Sequence, residues 1–232
     1  MNDHSNRISR RNFITDSGAT AGGLTAGITA SSLLNPNIAR SANDDIVVAL
    51  VGCGGMGRAN LRDFIRVPSV KIAAVCDVDD SRLQNALSDV EQARKATGSP
   101  LENIHTTKDF RNILERNDID SVIVGTPDHW HAYVATAACA SGKDVYCEKP
   151  VSHNIEEGKA MIRATRNHKR VMQIGTQQRS GTHFQSAVDQ VRKGALGKVH
   201  VCRTWITSNV SPNGLGNPDD SSVPAGVDYD MW

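Results

Sequence analysis

Ile46-Val47-Val48-Ala49-Leu50-Val51-Gly52-Cys53-Gly54-Gly55-Met56-Gly57 decides the fold of this chain. Six apolar residues in unbroken succession read as a strand covered on both faces, as strands of a parallel sheet are. The next six fit G-x-G-x-x-G. A glycine-rich turn alone is common, but this one closes a strand, opens a helix-length segment and is followed by Asp77, 20 positions beyond Gly57, at the end of a second strand-like run. That context reads as a dinucleotide site. Gly52 lets the strand turn sharply, Gly54 lets the backbone approach a pyrophosphate, and Gly57 lets helix and strand pack closely. Gly55 and Met56 open a helix whose unpaired N–H groups and positive dipole end suit phosphate. Asp77 would accept hydrogen bonds from the adenosine ribose hydroxyls and repel a 2′-phosphate. Val78-Asp79-Asp80 add no cation, and Arg82 is the nearest. NAD is therefore expected in preference to NADP.

Outward from this stretch, β-branched runs alternate with helix-length segments. Strand candidates are 46–51, 70–76, 104–106, 121–124, 144–147 and 171–174; helix candidates are 56–65, 81–97, 109–116, 131–141 and 155–167. The alternation predicts an α/β fold, a doubly wound parallel (Rossmann) sheet over 43–174. Ser81 reads as a helix N-cap, and Gly98 and Gly142 as helix stops. Beyond lie a helix-like stretch, His183–Lys193, and a strand-like one, Lys198–Ile206. Residues 207–232 carry little periodicity, a long loop without an evident destination.

The 232 residues are 39% hydrophobic, 22% charged and 4% aromatic, with net charge +1. This is the composition of a folded protein whose core rests on aliphatic side chains. Residues 1–42 hold a charge of +2 and the remainder −1, which gives no electrostatic footprint for nucleic acid. No run of apolar residues is long enough for a stable membrane span. The five cysteines (53, 76, 139, 147 and 202) show no C-x-x-C spacing, so neither zinc nor a disulfide framework is indicated. His129 and His131, two apart, do not share a helix face, and no metal site is expected. Ser9-Arg10-Arg11-Asn12-Phe13-Ile14, followed by a Gly/Ala/Thr-rich stretch, resembles a twin-arginine export signal. It implies recognition by that export machinery and a periplasmic or other extracytoplasmic destination, reached in the folded state.

The strand-like run at 144–147 leads into Glu148-Lys149-Pro150. A lysine at the carboxyl end of such a strand borders the ligand crevice, where an ammonium stabilises charge developing on a substrate oxygen; it also suits an ordinary strand exit. With Gly52–Gly57, Asp77, Thr126-Pro127, His131 and Gly142-Lys143-Asp144-Val145, the tripeptide resembles the Gfo/Idh/MocA oxidoreductases over about residues 45–206.

The resemblance implies hydride transfer between NAD(P) and a hydroxyl carbon of a sugar, inositol or related polyol. Lys149 matches the catalytic lysine beside the nicotinamide, and Glu148, Thr126, Pro127 and His131 are placed around the coenzyme. His131 also reads as a helix-start residue satisfied by backbone. Gln177 and Arg179 either face the substrate side of the crevice or form a solvated loop. A second, α+β domain is implied, of which 175–232 would be the truncated beginning, together with homo-oligomers through that domain's sheet. The histidine that completes acid–base chemistry in the family has no counterpart here, so dinucleotide affinity with poor turnover is expected. An NAD-dependent glycosidase of the same superfamily and a non-catalytic dinucleotide-binding remnant are the competing readings.

Overall fold

Strand β1 (Ile46–Val51) lies at the centre of a six-stranded sheet, and its side chains explain its uniform apolarity. Ala49 and Val51 point into one core, with Val122, Val124, Val134 and Met161. Val48 and Leu50 point into the other, with Leu61, Ile72, Val75 and Val90. Successive residues alternate between the faces, so both sets must be apolar. The computed structural model describes residues 45–98, 103–205 and 219–232. The proposed signal at 1–42 lies outside the described residues.

The elements run β1, α1 (Gly55–Ile65), β2 (Val70–Cys76), α2 (Asp80–Thr97), β3 (His105–Thr107), α3 (Arg111–Leu114), β4 (Ser121–Val124), α4 (Asp128–Ala140), β5 (Asp144–Glu148), α5 (Ile155–Asn167), β6 (Met172–Gly175), a 3₁₀ turn (Gln177–Ser180) and α6 (Thr182–Arg192). Every strand pair is parallel and the order is β3-β2-β1-β4-β5-β6. This is the doubly wound arrangement expected from the alternation, and its order reverses between β1 and β4, where such sheets bind ligands at their carboxyl ends. β1 pairs with β2 through Val51 opposite Cys76, and with β4 through Val51 opposite Val124. The register thus brings Gly52, Asp77 and Gly125 to one edge.

Several boundaries differ from the sequence reading. Asp79, not Ser81, caps α2: its carboxylate accepts the Ser81 N–H at 2.8 Å. Gly98 closes that helix at φ 67°, as a left-handed stop should. The helix expected over 109–116 is only Arg111–Leu114, because Asp109 turns back to accept the Arg111 N–H. α4 begins at Asp128, directly after Pro127, rather than at His131. The strand expected at 198–206 is not formed over 198–205, and Ile206 lies outside the described residues. Val199 and Val201 are exposed there, and among the described residues no neighbouring strand receives their backbone groups. β-branched residues favour extended backbone, but a partner is needed to make a strand.

Lys143 closes the sheet from beneath. It is almost fully buried and donates to the carbonyls of Arg116 (2.5 Å) and Ile119 (3.1 Å). Burial pushes its ammonium below the usual lysine range. Among the described residues no helix is long and apolar enough to cross a membrane.

Candidate dinucleotide site

Three glycines interlock at the carboxyl ends of β1 and β4. Gly52 has φ +91°, and a Cβ there would lie 2.5 Å from the Thr126 nitrogen. A Cβ on Gly57 would come 1.8 Å from the Gly52 carbonyl oxygen, and one on Gly125 would reach the Gly57 Cα at 2.6 Å. The first turn of α1 is therefore wedged against both strand exits, closer than any larger residue permits. Gly54 is the N-cap of α1 and no side chain caps the helix, so the first-turn amides, including those of Gly55 and Met56, lack a side-chain acceptor. Gly125 was not singled out by sequence reasoning; its signal was a glycine directly following a four-residue strand.

Asp77 is oriented by the backbone. Its Oδ2 accepts the Cys53 N–H at 2.6 Å and its Oδ1 accepts the Asp79 N–H at 3.0 Å. Each carboxylate oxygen has a further lone pair for a sugar hydroxyl. Arg82, the nearest cation, pairs with Asp79 at 3.4 Å and reaches toward Gly54. A cleft of about 400 Å³ joins these groups, with Gly52, Gly54, Asp77, Arg82, Thr126 and Pro127 in its walls. That volume is in the range of small-molecule sites. The Thr126 hydroxyl is buried without a hydrogen-bond partner, an unmet polar group at the cleft margin. Uncapped amides, a preoriented carboxylate, an unmet hydroxyl and a cradle that excludes Cβ atoms fit a dinucleotide.

The neighbouring thiols take no part as thiolates. Burial, then the charge of Asp77, pushes Cys76 up to about 12; burial, then Glu148, does the same to Cys147. Burial raises Cys53 further. Among the described residues no three metal-ligating side chains gather.

The Glu148-Lys149-Pro150 tripeptide splits in two. Lys149 is exposed just past β5, with no hydrogen bond or ion pair on its ammonium among the described residues, and its bond to Pro150 is cis. Glu148 points inward and is not among the residues that wall the cleft. Its Oε1 accepts from Asn60 Nδ2 (2.9 Å) and Gln177 Nε2 (3.5 Å), and its Oε2 from the Lys149 N–H (3.1 Å). The carboxylate fills the space where a side chain on Gly175 would stand, 2.7 Å from its Cβ position. Asn60, in the middle of α1, is a site residue that sequence reasoning missed, because nothing local marks a partner 88 positions away.

Of the two readings of His131, the structure shows the one in which backbone groups satisfy the ring. Because α4 starts three residues earlier than expected, its ring turns inward and is 1% exposed. Nδ1 lies 2.6 Å from the Pro150 carbonyl oxygen and Nε2 lies 2.9 Å from that of Thr126. It links the β4 and β5 exits and does not line the cleft. Arg179 is exposed on the 3₁₀ turn after β6.

A family model described as oxidoreductase family, NAD-binding Rossmann fold (Gfo/Idh/MocA) matches residues 46–176, more than half of the chain. The chain belongs to this family. Among curated relatives it is 29% identical over 168 residues to the uncharacterized oxidoreductase YrbE of Bacillus subtilis, covering 72% of this chain and 46% of that protein. It is 30% identical over 208 residues to a glycosyl hydrolase family 109 protein of Shewanella sp., covering 83% and 44%. In fold it is similar to myo-inositol 2-dehydrogenase from Lactobacillus plantarum (24% identity, TM-score 0.56, covering 67% of this chain and 43% of that one). A second neighbour is myo-inositol dehydrogenase from Lactobacillus casei in complex with NAD(H) and myo-inositol (23% identity, TM-score 0.56, covering 66% and 43%). The chain spans less than half the length of the relatives it matches. NAD is the coenzyme of this Gfo/Idh/MocA fold, in agreement with the acidic ribose end of the cleft.

Proposed function

We propose that this chain forms the coenzyme half of an NAD-dependent dehydrogenase acting on a hydroxyl carbon of a sugar, inositol or related polyol. The observation that carries the reading is the exposed Lys149, its ammonium without a partner among the described residues, at the carboxyl end of β5 on the same sheet edge as the Gly52–Gly57 turn and Asp77. The inositol dehydrogenases among the fold neighbours support the substrate class.

NAD, when bound, supplies the hydride acceptor. The first turn of α1 would hold the pyrophosphate and Asp77 the adenosine ribose. Lys149 would donate a hydrogen bond to the oxygen on the reacting carbon and stabilise negative charge there, a contribution of about 10²–10⁴-fold for a positioned acid–base group. Glu148, fixed between Asn60 and Gln177, accepts the Lys149 backbone N–H and so fixes the backbone from which Lys149 projects. Gln177 and Arg179 belong to the substrate side of this reading. In this reading residues 175–232 lead into the substrate domain, with 224–232 folded back on the coenzyme cleft, and the Arg10-Arg11 segment directs export in folded form; loss of export of a folded reporter on replacing both by Lys tests the latter.

A second reading is favoured by the glycosyl hydrolase family 109 relatives: a glycosidase that oxidises its sugar transiently and returns the hydride. The two differ in coenzyme balance. A dehydrogenase accumulates NADH as substrate is consumed, whereas the glycosidase releases product with no net NADH. In the longest active form of the protein, Lys149→Ala should leave the NAD dissociation constant unchanged and lower turnover by about 10²-fold or more. Equal turnover would remove Lys149 from the chemistry.

A further inference from the structure

Residues 219–232 dock on the cleft rather than trail from the fold. The Asp80 N–H donates to the Gly226 carbonyl at 3.1 Å, and the Asp228 N–H donates to the Val78 carbonyl at 2.9 Å. Between these bonds Val227 makes an antiparallel bridge with Asp79. Lys108 clamps the same spot, donating to the Gly226 carbonyl at 2.9 Å while pairing with Asp80 at 3.0 Å. The segment is thus fastened to the turn that carries Asp77. At its other end, the Trp232 carbonyl accepts Trp130 Nε1–H at 2.9 Å, and His129 Nε2 lies 3.1 Å from it. Those two side chains belong to the first turn of α4, on the opposite bank of the crevice. Tyr229 and Trp232 stack at 5.8 Å with ring planes 8° apart, which stiffens the span.

We infer that residues 224–232 form the outer wall of the adenine subsite, so that this distant strap and not the Rossmann segment alone sets affinity for the adenosine half of NAD. The inference rests on the coenzyme assignment above. A ribose held at Asp77 carries its base one glycosidic bond away, at the same end of the cleft. The cleft that holds Asp77 takes apolar surface from the Rossmann segment, at Val78, Phe110 and Trp130, and from the strap, at Val227, Tyr229 and Met231. A purine needs flat apolar surface on its faces, and the strap presents it. Gly226 is the hinge of this docking: its φ is +83°, and a Cβ there would meet the Asp80 carboxylate at 3.1 Å.

The test is calorimetric titration of the 232-residue chain with NAD and with ADP-ribose. Val227→Asp sets a carboxylate beside Asp79 and the purine; both ligands are expected to weaken by the same factor, about tenfold or more. Tyr229→Ala, at a half-exposed position that leaves the core intact, should weaken both about threefold, and Val227→Leu should keep wild-type affinity. Unchanged affinity for both ligands in Val227→Asp and Tyr229→Ala would overturn the inference, as would a loss confined to NAD. Tighter binding would overturn it too, since the strap would then occupy the place of the base. If the unaltered chain binds neither ligand, the coenzyme assignment itself falls, a result distinct from all of these.

Discussion

Residues 46–175 and residues 182–205 differ in what their apolar side chains touch. In the first region Leu50, Leu61, Val122 and Ile123 are sealed between sheet and helices. In the second, Phe184, Val188 and Val191 form a helical stripe at i, i+4 and i+7, and each is close to half exposed. No residue of α6 is buried. The first region is thus a finished core, and its glycine turns are packed too closely to admit a Cβ. The following helix has the pattern of a buried element without cover among the described residues. The lesson is that amphipathic periodicity shows which face wants a partner, while burial shows whether it has one.

The largest effect that would break this contrast is Gly57→Ala. Its Cβ meets backbone rather than a flexible side chain, so α1 must shift off β1. A loss of about 3 kcal/mol in stability is expected on denaturant unfolding, with NAD affinity lost as well; a near-neutral variant would show that the glycine interlock tolerates movement. Lys143→Met is expected next, at about 2 kcal/mol, because the Arg116 and Ile119 carbonyls lose their donor. Its NAD dissociation constant should stay close to wild type, since Lys143 is absent from the cleft walls.

Asp89 sharpens the comparison through pH. The hydrogen bond from Arg58 holds its carboxyl below the usual carboxylate range, with Arg62 adding to the pull. A carboxylate whose pKa is lower folded than unfolded stabilises the protein above its unfolded value and ceases to do so as pH falls through the folded one. Asp89→Asn should therefore cost about 1 kcal/mol at neutral pH, and the difference from wild type should vanish in acid. A pH-independent difference would assign the loss to packing. Phe184→Ser is the smallest change: within about 0.5 kcal/mol of wild type in this chain. A larger loss would mean that the α6 stripe is already covered.

The region with the finished core was also the legible one. Six apolar residues at 46–51 are interpretable alone because both faces of β1 are buried, and the 20-residue interval from Gly57 to Asp77 reflects one helix and one returning strand. What escaped was set by distance or by side-chain direction. The inward turn of His131 depends on α4 starting at Asp128, three residues before the expected position. Asn60 and Glu148 meet across the sheet with no local cue. The strap at 224–232 is held largely by backbone groups, such as Asp80 N–H on the Gly226 carbonyl, which any residue type could supply. The strand expected near Val199 and Val201 failed for the converse reason: its propensity was local, and no partner strand stands beside it among the described residues.

The most direct measurement is a titration of NAD into the wild-type chain and into Asp77→Ala, followed through the fluorescence of Trp130 and Trp232, which line the cleft. The expected result is saturable binding by the wild type and a dissociation constant about 10- to 100-fold higher for Asp77→Ala, the worth of a hydrogen bond to a charged acceptor. No saturable signal from the wild type at millimolar NAD, or equal affinity in the two proteins, would contradict the placement of the coenzyme between the Gly52–Gly57 turn and Asp77.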